Sequence, residues 1–153
     1  IAYNVNLATT DKRYADDIAY GLRERGRHKR SGNVAPFYYK GEVVLFAKDC
    51  FPCGACDHVA KSWGALAAHY RDVHGKDLAA RYAALGYAPA EVEGKPAYAD
   101  GRFSHVKAVG WVVDKYRRAQ ISINLTDFKV TPAHAVLEAV RESAAERGIA
   151  VVL

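Results

Sequence analysis

The chain has 153 residues, half of them apolar and a quarter charged, a composition typical of one globular domain with room for a large insertion. No apolar run approaches the roughly 20 residues that a membrane-spanning helix needs, so the sequence predicts no transmembrane segment. The net charge of +5 favours anionic partners but is too small by itself to indicate nucleic-acid binding.

The chain begins with an alternating stretch, IAYNVNL, that predicts a strand. One face of this strand is apolar and holds Ile1, Tyr3, Val5 and Leu7. The other face is small and polar and holds Ala2, Asn4 and Asn6. Thr10 or Asp11 then caps a helix near residues 11–26, which Gly26 ends. Because the sequence contains no methionine, we expect Ile1 to be an internal residue of a longer chain.

The middle of the chain, residues 30–100, has a different pattern. FYYKGEVVLF predicts a hairpin that turns at Lys40-Gly41. DLAARYAALGY predicts a short helix that ends at Gly86, because Pro89 follows and cannot continue it.

A metal-ligand pattern lies between these stretches, at about residues 50–75. Three cysteines fall within seven residues, and such bunching favours metal ligation in a reducing compartment, such as the cytoplasm, over a disulfide framework. Four residues have the spacing of a C₂H₂ zinc site: Cys53-x2-Cys56-x12-His69-x4-His74. Cys50 could replace Cys53 as a ligand, and His58 is a weaker alternative.

The helix of this pattern does not have the residues of a DNA-reading finger. Its three base-contacting positions hold Ser62, Ala65 and Ala68, none of which can make the bidentate contacts that identify a base. DNA base recognition is therefore not expected. We interpret the zinc site as a structural cross-link that stabilises an insertion too small to build its own core. The finger could also serve as a surface for docking a protein partner.

The end of the chain returns to the pattern of the beginning. FSHVKAVGWVVD and RRAQISINLTDF predict two strands joined by a tight turn at residues 114–117, which includes Tyr116. Thr131-Pro132 begins a second helix that Gly148 ends, and IAVVL is a last strand. Without the middle, the element order is βαββαβ.

This order predicts the α+β class and, within it, a ferredoxin-like two-layer sandwich with a four-stranded antiparallel sheet and two helices on one face. The core comprises residues 1–29 and 101–153, and residues 30–100 form an insertion that carries the zinc finger. The sheet face away from the helices then gathers uncharged polar side chains: Asn4, Asn6, Gln120, Ser122, Asn124 and Thr126. A solvated face is one explanation. Amide groups, which donate and accept, also suit a polar heterocycle or a second sheet across a wet groove.

Several stretches together resemble the C-terminal subdomain of glutamate formimidoyltransferases: AYNVNL, IAYGLRERGR, VKAVGW, QISINLTDF and TPAHAVLEAVRESAAERGIAVV. The resemblance implies that two such subdomains stack sheet to sheet, with tetrahydrofolate and formiminoglutamate between them. It implies these groove residues, the last at the rim: Asn4, Asn6, Asn124, Thr126 and Asp127.

The resemblance also implies that the family's acid/base histidine belongs to the other subdomain. We therefore expect no catalytic residue in this chain, and we expect the partner to be an N-terminal formiminotransferase-like subdomain or chain on the open sheet face. His105 and His134 are interpreted as surface histidines. The insertion at residues 30–100 is not part of the resemblance.

An alternative is a non-catalytic module that binds RNA or a ribonucleoprotein through basic residues and the finger. The candidate phosphate contacts are Arg23, Arg25, Arg27, Lys115, Arg117 and Arg118. A solvated basic surface, or contact with an anionic polyglutamyl folate tail, would explain the same residues.

Overall fold

A computed structural model describes residues 1–32, 34–115 and 117–152, without the side chain of Ala90. Tyr116 of the predicted turn and Leu153 of the predicted last strand lie outside the described residues. The chain forms two compact units. Unit 1 comprises Ile1–Arg27, Gly32–Gly41 and Gly101–Leu153, and unit 2 comprises His28–Ser31 and Glu42–Asp100.

The α-helices, in chain order, are α1 (Lys12–Leu22), α2 (Trp63–His74), α3 (Leu78–Ala84) and α4 (Ala133–Glu146), and Pro89–Glu91 form a 3₁₀ turn. The strands are β1 (Ala2–Leu7), β2 (Arg27–His28), β3 (Arg30–Ser31), β4 (Glu42–Val43), β5 (Phe51–Pro52), β6 (Val59–Ala60), β7 (Tyr98–Ala99), β8 (Val106–Val113), β9 (Arg118–Leu125) and β10 (Val151–Val152). In the part of the chain that the structure describes, no helix is both long and apolar enough to cross a bilayer.

Unit 1 is built on a four-stranded antiparallel sheet with the order β10–β1–β9–β8. The chain therefore has the predicted α+β architecture, with β1 and β9 at the centre of the sheet. Register is fixed because each strand alternates: Val5 lies opposite Ile121, and Asn4 lies opposite Ser122. The apolar and the polar side chains thus collect on opposite faces.

The apolar face of the sheet packs against α1 and α4. The buried core draws aliphatic residues from all of these elements except β10, among them Val5, Leu7, Ile18, Leu22, Ile121, Ile123, Val136 and Val140. Gly110 of β8 allows α1 to approach closely, because a Cβ there would lie 2.5 Å from the backbone nitrogen of Asp16. Asp11 caps α1 as predicted, accepting a hydrogen bond from the Arg13 N–H at 2.9 Å.

One buried charge network also joins the elements of unit 1. The Asp17 carboxylate, on α1, is buried and binds the guanidinium groups of Arg27 and Arg147, the latter at 2.7 Å. Arg147 also donates to the carbonyl oxygens of Ser143 and Pro36. Each charge in the network is therefore paired and hydrogen-bonded, as burial requires.

Two local predictions differ from the structure. Helix α1 ends at Leu22 rather than Gly26, because Arg23 is already extended, with φ −68° and ψ 149°. The predicted hairpin at Lys40-Gly41 is wrong: Val43 pairs with Arg30 instead. The preceding aromatic residues belong to unit 1, where the ring of Phe37 packs against that of Tyr14 at 5.6 Å. This packing overrides the local turn signal.

Unit 2 has short strands and a largely aromatic core. Strands β5 and β6 pair, and α2 and α3 follow them along the chain. The core holds Phe46, Phe51, Cys53, Leu66, Tyr70, Leu78, Tyr82 and Val92, among others. The expectation that this segment lacks a core of its own is therefore wrong, because aromatic rings of its short helices and strands, together with Phe46, fill its interior.

Candidate metal centre and candidate binding face

Unit 2 brings together the four residues that the ligand spacing selected. The sulfur atoms of Cys53 and Cys56 and the ring nitrogens of His69 and His74 all lie within 4.8 Å of one another. Cys56 Sγ is 3.3 Å from His69 Nε2. With ligand distances of about 2.0–2.3 Å, the donors of a tetrahedral zinc site are about 3.3–3.8 Å apart, so small shifts would complete such a site.

Local structure explains why these side chains converge. Ser62 caps α2 by accepting a hydrogen bond from the Ala65 N–H at 3.1 Å, and the helix runs to His74. Its two histidines are five residues apart, a little more than one turn, and their ring nitrogens both come within 4.8 Å of the two cysteine sulfurs. The cysteines lie on the turn after β5, where the Cys53 N–H donates to the His58 carbonyl at 2.8 Å.

The surroundings of the cluster suit a metal ion. The backbone N–H groups of Ala55 and His58 donate to the sulfurs of Cys53 and Cys56 at 3.4 and 3.5 Å, which favours the thiolate form. His74 Nε2 is the one buried side-chain nitrogen or oxygen among the described residues without a hydrogen-bond partner. Leaving such an atom unpaired is costly, and a metal ion would supply the missing partner.

The pKa shifts of two of these residues act differently on metal binding. Burial raises the pKa of the Cys53 thiol, which opposes the thiolate form that a metal needs. Desolvation, followed by repulsion from His58 and His74, lowers the pKa of His69. The lowered pKa favours the neutral imidazole, which is the form that ligates a metal.

The two alternative ligands do not belong to the cluster. The His58 ring stacks on the His69 ring, with centroids 4.1 Å apart, and so covers a ligand rather than replacing one. Cys50 lies outside the group of four. Two thiolates and two imidazoles are enough to fill all four positions of a tetrahedral metal ion, which would leave no position for a substrate.

The second candidate site is the open face of the sheet in unit 1. Three rows of side chains cross this face in register: Asn6, Gln120 and Trp111; Asn4, Ser122 and Val109; and Ala2, Asn124 and Lys107. Val109 and Trp111 are 49% and 48% exposed. The face therefore combines central amide groups with an apolar strip along β8.

The first row is a directed chain of hydrogen bonds. Trp111 Nε1–H donates to Gln120 Oε1 at 2.6 Å, and Gln120 Nε2–H donates to Asn6 Oδ1 at 2.6 Å. An indole nitrogen can only donate, so it fixes the orientation of the Gln120 amide, which in turn fixes that of Asn6. The row consequently presents the Nδ2–H₂ group of Asn6 as a donor at the centre of the sheet.

The predicted groove residues divide into two groups. Asn4, Asn6 and Asn124 lie on this open face, whereas Thr126 and Asp127 follow the end of β9. The Thr126 N–H donates to the His105 carbonyl, and the Asp127 carboxylate accepts the Lys129 N–H at 3.1 Å. Asp127 therefore shapes the turn beyond the sheet.

Sequence reasoning missed Lys107, Val109 and Trp111, which share the open face with the asparagines. The signal was present in VKAVGW, where buried Val106, Ala108 and Gly110 alternate with them. Because Ala108 and Gly110 are small, that alternation is weaker than in β9.

Two of the six predicted basic residues, Arg23 and Arg27, have partners of their own in unit 1. Arg27 binds the buried Asp17. Arg23 donates to the Gly26 carbonyl at 2.8 Å and lies over the Tyr20 ring. Arg25 and the turn residues Lys115 and Arg117 are exposed, and Arg118 is half-buried.

A comparison with models of known protein families shows which family this chain belongs to. A family model described as the formiminotransferase domain matches residues 2–153. The chain belongs to the formiminotransferase domain family. Because the match runs from β1 to the end of the chain, it includes both the open sheet face and the segment with the cysteine–histidine cluster.

Relatives within this family match a shorter segment. The chain is 42% identical over 52 residues to the formimidoyltransferase-cyclodeaminase of Mus musculus, 44% over 52 residues to that of Sus scrofa, and 39% over 51 residues to that of Dictyostelium discoideum. Each match covers about a third of this chain, 33–34%, and 10% of the relative. The chain thus matches about a tenth of the length of these relatives.

Proposed function

We propose that unit 1 is the C-terminal subdomain of a formimidoyltransferase, and that its open sheet face is one wall of a groove for tetrahydrofolate and formiminoglutamate. The chain of hydrogen bonds from Trp111 through Gln120 to Asn6 carries this proposal. Family membership supports it, as does the strand order, which is that of a ferredoxin-like βαββαβ unit. The opposite wall is an N-terminal formiminotransferase-like subdomain or chain.

The chemistry of the face matches the proposed ligands. The Asn6 Nδ2–H₂ group suits a carbonyl oxygen or ring nitrogen of the folate heterocycle. Val109 and Trp111 offer apolar surface beside it for the flat part of the ring. Lys107, in the row of Asn124, supplies a cation for a carboxylate of either substrate.

In the proposed reaction a folate nitrogen attacks the formimino carbon, the bond from that carbon to the glutamate nitrogen breaks, and the departing amine takes up a proton. Placing two reactants side by side in a groove lowers the barrier by removing their translational freedom. A base near neutral pKa moves the proton. We assign orientation of the substrates to unit 1 and the base to the opposite wall.

Titration calorimetry of the full-length protein with tetrahydrofolate tests this function. We expect binding that Asn6→Asp weakens strongly, because that change replaces the central donor with a charged acceptor. Glu138→Gln, on helix α4 and therefore on the other side of the sheet, is the control and should change affinity little. Absence of tetrahydrofolate binding by the unaltered full-length protein would contradict the proposal.

We further propose that Cys53, Cys56, His69 and His74 hold one structural zinc ion in unit 2. The orphaned His74 Nε2 and the N–H groups aimed at both sulfurs support this assignment. The ion would cross-link the turn after β5 to α2. Elemental analysis should find close to one zinc per chain, and a metal content near zero after purification without chelators would contradict it.

A further inference from the structure

Lys29 is not one of the four residues of the ligand spacing, but its side chain contacts the turn that carries Cys53 and Cys56. Lys29 comes 24 residues before Cys53 in the chain. Its Nζ donates hydrogen bonds to the carbonyl oxygens of both Cys53 and Cys56, the latter at 2.9 Å. One ammonium group therefore joins the two ends of the cysteine turn.

Lys29 reaches this turn from a fixed backbone. Its N–H donates to the Ala97 carbonyl at 2.7 Å, and its own carbonyl accepts the Val44 N–H at 2.8 Å. The side chain is half-buried. Anchoring the base of a long side chain reduces the conformational freedom that its charged end must lose on binding.

The turn is held from a second direction as well. The Gly54 carbonyl accepts the Asp100 N–H at 3.0 Å. A Cβ at Gly54 would collide with the Tyr98 carbonyl oxygen, so only glycine permits this approach. With Lys29, these contacts fix the cysteine turn through groups that are not metal ligands.

We propose that Lys29 is a positioning residue of the metal site, which holds the cysteine turn ready for zinc and offsets the negative charge of its two thiolates. This inference rests on the zinc site proposed above. Hydrogen-bond partners outside the ligand set typically contribute 10- to 100-fold to metal affinity. Lys29 would act in this way through carbonyl groups, since an ammonium group donates but cannot accept.

The test compares three full-length variants by chelator competition for zinc. We expect Lys29→Met to weaken zinc binding by about 10- to 100-fold. Lys29→Arg, which keeps the charge and the donors, should restore most of the loss. Lys61→Met is the matched control, because Lys61 lies within the ligand spacing but its side chain is exposed, and its zinc affinity should stay within about two-fold.

Cobalt absorption separates positioning from a general role in folding. At saturating cobalt, Lys29→Met should still show the thiolate charge-transfer and tetrahedral bands of the wild type. Unaltered zinc affinity in Lys29→Met would overturn the proposal. So would loss of folding in Lys29→Met and Lys29→Gln alike while Lys61→Met folds, since Lys29 would then serve the fold. Failure of the wild type to bind zinc would instead reject the zinc site itself.

Discussion

The two units reach stability in different ways. Unit 1 buries aliphatic side chains between a four-stranded sheet and two helices, and the buried charge network around Asp17 is internally paired. Unit 2 has two-residue strands, a largely aromatic core and a cluster of cysteines and histidines. Since short strands add few hydrogen bonds, unit 2 has more to gain from a cross-linking ion. The predictions below test this difference, from the largest effect to the smallest.

The largest effect is expected from Cys53→Ser combined with Cys56→Ser. Removing both thiolates should abolish zinc binding, and structural zinc contributes apparent binding free energies of about 10 kcal/mol or more. We expect unit 2 to unfold first. Amide hydrogen exchange should show loss of protection in α2 while β1 and β9 in unit 1 keep theirs.

Cys50→Ser is the control for this experiment, because Cys50 is outside the cluster and should be dispensable for metal. Full zinc retention by the double variant would refute the ligand set. Equal loss of protection in β1 and α2 would show that the two units do not differ in their dependence on metal.

The next effect concerns unit 1 and needs no ion. Asp17→Asn should lower the free energy of unfolding by about 3 kcal/mol, because it leaves the charges of Arg27 and Arg147 buried and unpaired. Glu138→Gln, which breaks an exposed ion pair with Arg141, should cost less than about 1 kcal/mol. Urea unfolding followed by circular dichroism measures both, and equal costs would contradict a structural role for the network.

The same two units show what a sequence can predict. Zinc-ligand spacing and helix caps are short-range patterns: the four residues of the spacing lie together in the structure, and Asp11, one of the two predicted caps, caps α1. Alternation in β1 and β9 was also sufficient to find the polar face. Contacts between distant segments were not predictable: Lys29 meets Cys53 across 24 residues, and Trp111 meets Asn6 only through the register of three strands.

A similar limit explains the wrong hairpin. Lys40-Gly41 is a sound local turn signal, but the residues before it pack on unit 1 while Glu42 and Val43 pair with β3. The competing interaction is a strand about a dozen residues earlier, which local turn statistics do not contain.

A smaller, pH-dependent effect is expected in unit 2. Burial raises the pKa of Tyr82 from 10.0 to about 12. The folded state holds the phenolic proton of Tyr82 more tightly than the unfolded state does. Tyr82 therefore adds about 2 kcal/mol to the free energy of unfolding below pH 10, and this contribution is lost as the pH rises through 12. Unfolding by urea at pH 8, 10 and 12 should show this fall in the wild type.

Tyr82→Phe should reduce that slope without removing it, because the pKa of Tyr70 is also raised in the folded state. It also costs about 1 kcal/mol at neutral pH, because the Tyr98 N–H loses the Tyr82 oxygen as acceptor at 3.0 Å. If the variant loses stability between pH 10 and 12 as steeply as the wild type, the titrating group is not Tyr82.

The smallest effect distinguishes recognition from folding on the open face. Trp111→Phe keeps an aromatic ring on β8 but removes the Nε1–H that orients Gln120. The Gln120 and Asn6 amides can then reverse, so the donor at the centre of the sheet is no longer fixed. One neutral hydrogen bond is worth about 0.5–1.5 kcal/mol, which corresponds to about two- to ten-fold weaker tetrahydrofolate binding by the full-length protein.

Trp63→Phe makes the same chemical change in unit 2 and should leave tetrahydrofolate affinity unchanged. Gln120→Glu sharpens the result, because a carboxylate can accept from Trp111 but has no N–H to give to Asn6. We therefore expect Gln120→Glu to weaken binding at least as much as Trp111→Phe. If neither variant changes the affinity while the wild type binds, the ligand does not use the oriented amide, and the row from Trp111 to Asn6 does not recognise tetrahydrofolate.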